Sequence, residues 1–232
     1  MRLDKYISNT TELSRSQAKR AIAKGRVIVD GQPCTKSETQ INPSSTIQLD
    51  EKKLTYREHV YLILNKPQGY VCSTRDPDYP TILELIPEEF RPKEPHAAGR
   101  LDADTTGLVL LTDDGKWSHS LTAPKRGKEK EYQVTTAQPI PQSAIQAFEQ
   151  GVYLDGDETI TRPARLTIHQ ETQATLVITE GRFHQVKRMF ESIDNEVTVL
   201  HRSRIDAISL PLDLPLGKSR ELTQEELASL EA

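Results

Sequence analysis

The chain has 232 residues, 35% of them hydrophobic and 28% charged, with 14 prolines and a formal charge of −4. That length allows one large domain or two smaller ones with a real core, and that balance excludes a disordered chain. No stretch approaches the roughly 18 apolar residues of a membrane span, and Met1-Arg2-Leu3-Asp4-Lys5-Tyr6 lacks the apolar centre of a signal peptide, so a cytoplasmic protein without membrane contact is expected.

The charge is unevenly divided: residues 1–59 hold 11 Lys or Arg against 7 Asp or Glu, leaving 19 against 27 for residues 60–232. A basic front module on an acidic body points to polyanion contact at the N-terminal end. Ser14-Arg15-Ser16-Gln17 fits a capping box and Gly25 a helix stop, which predicts a helix of about ten residues between them. Ala18, Ala21 and Ile22 share one face of it, with Arg15, Lys19, Arg20 and Lys24 spread over the rest. Arg26-Val27-Ile28-Val29-Asp30-Gly31-Gln32 follows as a strand closed by Asp-Gly, a tight hairpin signal. Arg2-Leu3-Asp4-Lys5, Ser14-Arg15, Ala18 and the segment from Gly25 to Gly31 resemble the S4 RNA-binding domain. The resemblance implies structured RNA as the ligand, gripped through phosphates by Arg2, Arg15, Lys19 and Arg20. Cys34 and Cys72 have no Cys or His at ligand spacing, which predicts buried reduced thiols. The polar run from Asp50 to Glu58 reads as a linker, dividing the chain into domains at 1–58 and 59–232.

Val60-Tyr61-Leu62-Ile63-Leu64 reads as a buried strand, with Lys66 at its exit in the turn Asn65-Lys66-Pro67-Gln68-Gly69. Further strands are expected at Leu108 to Leu111, Glu131 to Thr136, Ala174 to Thr179 and Val197 to Leu200, with helices around Pro141 to Gln150 and His184 to Ile193. Strands outnumber helices without regular alternation, so an α+β body on a mixed, largely antiparallel sheet is favoured. Gly99-Arg100-Leu101-Asp102-Ala103-Asp104-Thr105-Thr106-Gly107 places two carboxylates in a turn ahead of an apolar strand, a mount that can hold an acid still. Aspartates in turns also simply bond nearby backbone donors. In Lys128-Glu129-Lys130-Glu131-Tyr132-Gln133-Val134, alternation sends Tyr132 and Val134 to one face, where a tyrosine either completes the core or stacks on a base. On the helix after Glu180, Phe183, Val186, Met189, Phe190 and Ile193 fall in one apolar arc facing the core; Lys187 lies at its margin, and His184 and Arg188 one turn apart beyond it.

Asn65 to Gly69, Gly99 to Asp102 with Thr105-Thr106-Gly107, Lys130-Glu131-Tyr132 and Gly181 to Met189 resemble, in order and spacing over nearly the whole chain, the RsuA family of RNA pseudouridine synthases. Within that family the run from Thr105 to Gly115 with Trp117-Ser118-His119 is most similar to members acting on small-subunit (16S) ribosomal RNA. The resemblance implies isomerisation of uridine to pseudouridine without cofactor or metal: the bond from ribose C1′ to uracil N1 breaks and one to C5 forms on a flipped base. Asp102 would be the essential acid, as nucleophile or as base, and Lys187 its ion-pair partner; many relatives carry Arg there, so bidentate pairing is lost. Tyr132 would stack on the base or move the C5 proton, while Arg100, Arg188, His184 and Lys66 would bind RNA or frame the pocket. A partly assembled small-subunit particle is the expected partner, and no heptad or apolar stripe calls for more than a monomer. Three rivals stand beside this reading, the first being the same reaction on large-subunit ribosomal RNA. A glycosidic-bond hydrolase would use Asp102 with Asp104, although residues two apart do not straddle a bond as such pairs do. A non-catalytic RNA-binding or assembly factor would need only the front module.

Overall fold

The computed structural model describes residues 1–42 and 44–231, which fall into two compact units: Met1–Val60 with Ile86–Pro95, and Tyr61–Leu85 with His96–Ala232.

The first unit contains helices α1 (Leu3–Thr10) and α2 (Arg15–Ala23) and four short strands, β1 (Val27–Val29), β2 (Gln32–Pro33), β3 (Ile47–Leu49) and β4 (Lys52–Leu54), paired antiparallel in the order β2-β1-β3-β4. Both bonds of the capping box form, from the Gln17 amide to the Ser14 hydroxyl and from the Ser14 amide to the Gln17 side chain. Leu3, Ile7, Ala18, Ile22, Val27 and Ile47 close a core with no exposure at all. The expected linker begins as part of this unit: Asp50 and Glu51 both adopt positive φ, turning β3 into β4 with Ile47 opposite Leu54. Asp50 is bonded there to the guanidinium of Arg26, an ion pair across 24 positions that local pattern does not reveal. The division expected after residue 58 is also corrected. Residues Glu88–Lys93 form a 3-10 turn that packs on α1, so Ile86–Pro95 returns to the first unit.

The second unit is built on β5 (Tyr61–Lys66), β6 (His96–Ala97), β7 (Thr106–Thr112), β8 (Lys130–Thr136), β9 (Arg165–Gln170), β10 (Gln173–Ile178), β11 (Val197–Ile205), β12 (Ile208–Ser209) and β13 (Ser219–Glu221). They form one mixed sheet in the order β13-β5-β7-β11-β8-β10-β9, with β6 on β7 and β12 on β11. Its helices are α3 (Gly115–Thr122), α4 (Ser143–Gln150), α5 (Gln185–Glu191) and α6 (Gln224–Glu231). Successive strand residues face opposite sides, yet Leu108, Val109, Leu110 and Leu111 are all completely buried, so β7 is covered on both faces and reads as an unbroken apolar run. The parallel pairing of β7 with β11 sets Gly107 beside Arg202. A Cβ at Gly107 would stand 2.3 Å from the Arg202 carbonyl oxygen, and its φ of +104° is one other residues rarely adopt. That close approach brings the turn ahead of β7 against β11. Cys34 and Cys72 are free and half-buried, not fully enclosed as expected.

Candidate active site

The turn from Leu101 to Thr105 is held from below by a lysine. Lys66, at the end of β5, is completely buried, and its Nζ donates toward the carbonyl oxygens of Thr105 at 2.8 Å, Asp102 at 2.9 Å, Pro67 at 3.1 Å and Ala103 at 3.3 Å. The Gly69 amide donates to the Ala103 carbonyl at 2.7 Å, and the Leu101 amide to Cys72 Sγ at 3.3 Å. Desolvation pulls the Lys66 pKa below its ordinary value, and nearby Asp102 and Asp104 partly restore it. Lys66 therefore fixes the turn from Leu101 to Thr105 and is spent on backbone oxygens; the expectation that it contacts RNA is corrected.

Above that turn opens a cavity of about 450 Å³, lined among others by Arg100, Leu101, Asp102, Tyr132, His184 and Lys187. Its size falls within the ~300–1,000 Å³ of small-molecule sites, enough for one nucleotide and too small for a duplex. Lys187, on α5, reaches Asp102 Oδ2 at 3.3 Å but makes shorter contacts with Asp104, at 2.7 Å to Oδ1 and 2.8 Å to Oδ2. The expected ion pair exists but is shared, with Asp104 as the stronger partner. Burial pushes the Asp104 carboxyl up, but the hydrogen bonds and charge of Lys187 outweigh it and leave its pKa lowered. Burial likewise pulls Lys187 down, and the two aspartates more than reverse it. The cavity lining includes Asp102 and passes over Asp104. Asp102 thus keeps its oxygens without short bonds, within reach of a bound group, while Asp104 commits both of its own to the cation.

His184 Nε2 lies 3.4 Å from Asp102 Oδ1, the other oxygen from the one Lys187 approaches. Tyr132 is a buried aromatic of the cavity, 7% exposed, with the Arg202 guanidinium 6.0 Å from its ring centre. Arg202 carries no mark in the local sequence pattern. It is 1% exposed, has no carboxylate partner among the described residues, and donates to the carbonyls of Leu108 at 2.8 Å, Gly99 at 3.2 Å and Arg100 at 3.4 Å. It ties the entry and exit of the turn around Asp102 to β11. A cation within the β11 run is the available signal, but only the fold reveals that it points inward.

Arg100 is exposed at the cavity edge, free to meet phosphate. Arg188 is not: it donates to the Phe183 carbonyl at 3.1 Å and to Asp157 Oδ1 at 2.7 Å, and also to the Asp155 carbonyl, so its expected RNA contact becomes a loop brace. The apolar arc is also corrected at its start. Helix α5 begins at Gln185, His184 sits in the left-handed region with φ +46°, and that turn throws Phe183 out of the core to 72% exposure.

In the first unit Arg2, Arg15 and Lys19 converge on Asp4, at 3.1, 3.3 and 4.0 Å, while Arg20 is exposed. Hydrogen bonding from Arg2 leads the effects that hold the Asp4 pKa at about 2, against the opposing burial. Among the described residues no trio of His, Cys, Asp or Glu is arranged to hold a metal, and no helix is long and apolar enough to cross a membrane.

Comparison with known proteins agrees with this architecture. A family model described as RNA pseudouridylate synthase matches residues 60–192, and one described as S4 domain matches residues 1–47. The chain is 47% identical over 231 residues to the ribosomal small subunit pseudouridine synthase A of Escherichia coli (strain K12), covering 99% of this chain and 100% of that one. It is 46% identical to the protein of the same name from Haemophilus influenzae, with 99% of each covered. A crystal structure of a pseudouridylate synthase superposes with a TM-score of 0.71 at 44% identity, covering 99% of both chains. The chain belongs to the RNA pseudouridylate synthase family and carries an S4 domain at its N-terminal end.

Proposed function

We propose that this enzyme isomerises one uridine of small-subunit (16S) ribosomal RNA to pseudouridine, acting in the cytoplasm on a partly assembled subunit. The observation that carries the reading is Asp102 lining a one-nucleotide cavity with a cation and an aromatic ring around it, in a chain nearly half identical over its full length to proteins named for that RNA.

The chemistry follows from what each group can do. A uridine flipped from RNA brings C1′ to Asp102, whose ionised oxygen either attacks C1′ or takes a sugar proton to give a glycal. Either route releases N1 from C1′ while the cavity retains the base. The base then turns and C5 bonds to C1′, expelling the Asp102 carboxylate on the first route or with Asp102 returning its proton to C2′ on the second; N1 gains a proton and the C5 proton leaves, so atoms balance without redox change. Lys187 offsets the burial of Asp104, leaving that carboxyl's pKa lowered, and places a positive charge 3.3 Å from Asp102. Tyr132 packs against the detached uracil, and Arg100 meets the flanking phosphate. Arg15, Lys19 and Arg20 hold the RNA at the front module, their contribution screened by salt.

The test is to map pseudouridine in ribosomal RNA from cells with and without this protein. Loss of one small-subunit site is expected. Loss of a large-subunit site would move the substrate; free uracil would mean a hydrolase; unchanged maps would leave only a binding role.

A further inference from the structure

Phe183 keeps 72% of its surface in water, while Val186, Met189 and Phe190, which follow it on α5, are buried. Its mount is rigid. The Arg182 amide donates to Gln185 Oε1 at 2.9 Å, Gln185 Nε2 donates to Glu180 Oε1 at 3.0 Å, and Arg188 holds the Phe183 carbonyl at 3.1 Å. Arg182 is itself tied to Asp157 at 3.0 Å. One face of the ring is taken: it lies on His184 with centroids 3.8 Å apart and planes inclined 21°. His184 itself has a left-handed φ of +46° and lies 3.4 Å from Asp102. A strained non-glycine backbone persists only where its surroundings over-determine it. Phe183 and Asp102 line the same cavity, in which Tyr132 is the buried aromatic and Phe183 the exposed one.

We propose that Phe183 is a positioning residue of the pseudouridine reaction, its open face stacking on an RNA base that flanks the uridine drawn into the cavity. This rests on the reading that an RNA uridine enters there. Flipping a base strips its neighbours of a stacking partner. An aromatic face can replace that partner for any base, because every base has a π-face. The stack on His184 orients the ring and links it to the acid.

The experiment uses the full-length protein and ribosomal RNA from cells lacking the gene, so that the native protein itself identifies the uridine modified. Phe183→Ala and Phe183→Leu are expected to slow single-turnover conversion about 10-fold or more with RNA affinity within about 2-fold, whereas Phe183→Trp keeps near-native rate. With p-benzoylphenylalanine in place of Phe183, photo-crosslinks should map to nucleotides adjacent to the modified uridine. A Leu variant as fast as the native protein, or crosslinks remote from that uridine, would overturn the proposal. Modification of a large-subunit uridine contradicts the substrate reading and leaves the Phe183 test intact; a native protein that modifies no uridine overturns both.

Discussion

In the first unit the acid is inside and the cations are outside: the Asp4 side chain has no exposure, while those of Arg2, Arg15 and Lys19 are 40%, 55% and 52% exposed. At the cavity the order is reversed. Lys187 is the sheltered member at 20%, and Asp102 and Asp104 are more open at 33% and 57%. The same ion-pair chemistry therefore has two uses. A buried acid gathers cations at the surface of the first unit, and a sheltered cation gathers two acids at the cavity and lowers the pKa of Asp104.

Removing the sheltered cation should break the second arrangement while leaving both acids in place. Lys187→Met takes from Asp104 the cation whose hydrogen bonds and charge lower its pKa, and from Asp102 the neighbouring positive charge. Conversion near neutral pH is expected to fall about 100-fold with RNA affinity nearly unchanged, the scale of losing one oriented charge. Because Asp104 loses the cation that lowers its pKa, it binds a proton more readily in the variant, which should regain rate as pH rises, as a pH–rate profile will register. A flat profile would mean that Lys187 acts by packing alone. Neutralising Arg15, Lys19 and Arg20 together should show the opposite pattern, with affinity reduced about 10-fold and the slope of log K against log salt reduced by roughly 0.7 to 0.9 for each phosphate no longer neutralised. Rate at saturating RNA should hold, as measured by filter binding beside single-turnover kinetics.

The smallest effect is the most discriminating for the first unit. Asp4→Asn removes a negative charge, which by net charge alone should tighten RNA binding; loss of the organised cation cluster should instead weaken it a few-fold. Asp4 also ties stability to pH, since its carboxyl is lowered from 3.8 to about 2, first by the Arg2 hydrogen bond. A depressed carboxylate stabilises the fold above its unfolded pKa and loses that contribution as pH falls through the folded value. The melting-temperature advantage of the native chain over Asp4→Asn should be full near neutrality and shrink from about pH 4 toward about pH 2.

What the sequence makes legible is local. The capping box at Ser14 and Gln17, the Asp30-Gly31 turn and the apolar run of β7 each carry their cause within a few residues. The turn at Asp50 and Glu51 lacks glycine and depends on Arg26, far away in the chain. Asp102, Tyr132 and Lys187 are legible as residues through motif order, but the preference of Lys187 for Asp104 is a matter of a few tenths of an ångström that no spacing encodes. Lys66 and Arg202 escape sequence reasoning for one reason. Both are buried cations satisfied by carbonyl oxygens from a distant turn, where sequence habit expects them in water. Phe183 fails as a core residue because a single left-handed residue, His184, displaces it from the helical arc.

On the proposed reading the two acids of one turn have separate duties, Asp102 in chemistry and Asp104 in holding Lys187. Asp102→Asn and Asp104→Asn, each checked for native folding, should be compared by single-turnover pseudouridine formation on the same ribosomal RNA. Asp102→Asn is expected to lose at least about 1,000-fold, and Asp104→Asn no more than about 10-fold, as Lys187 turns to its remaining partner. A native-like rate for Asp102→Asn, or the larger loss in Asp104→Asn, would contradict the account.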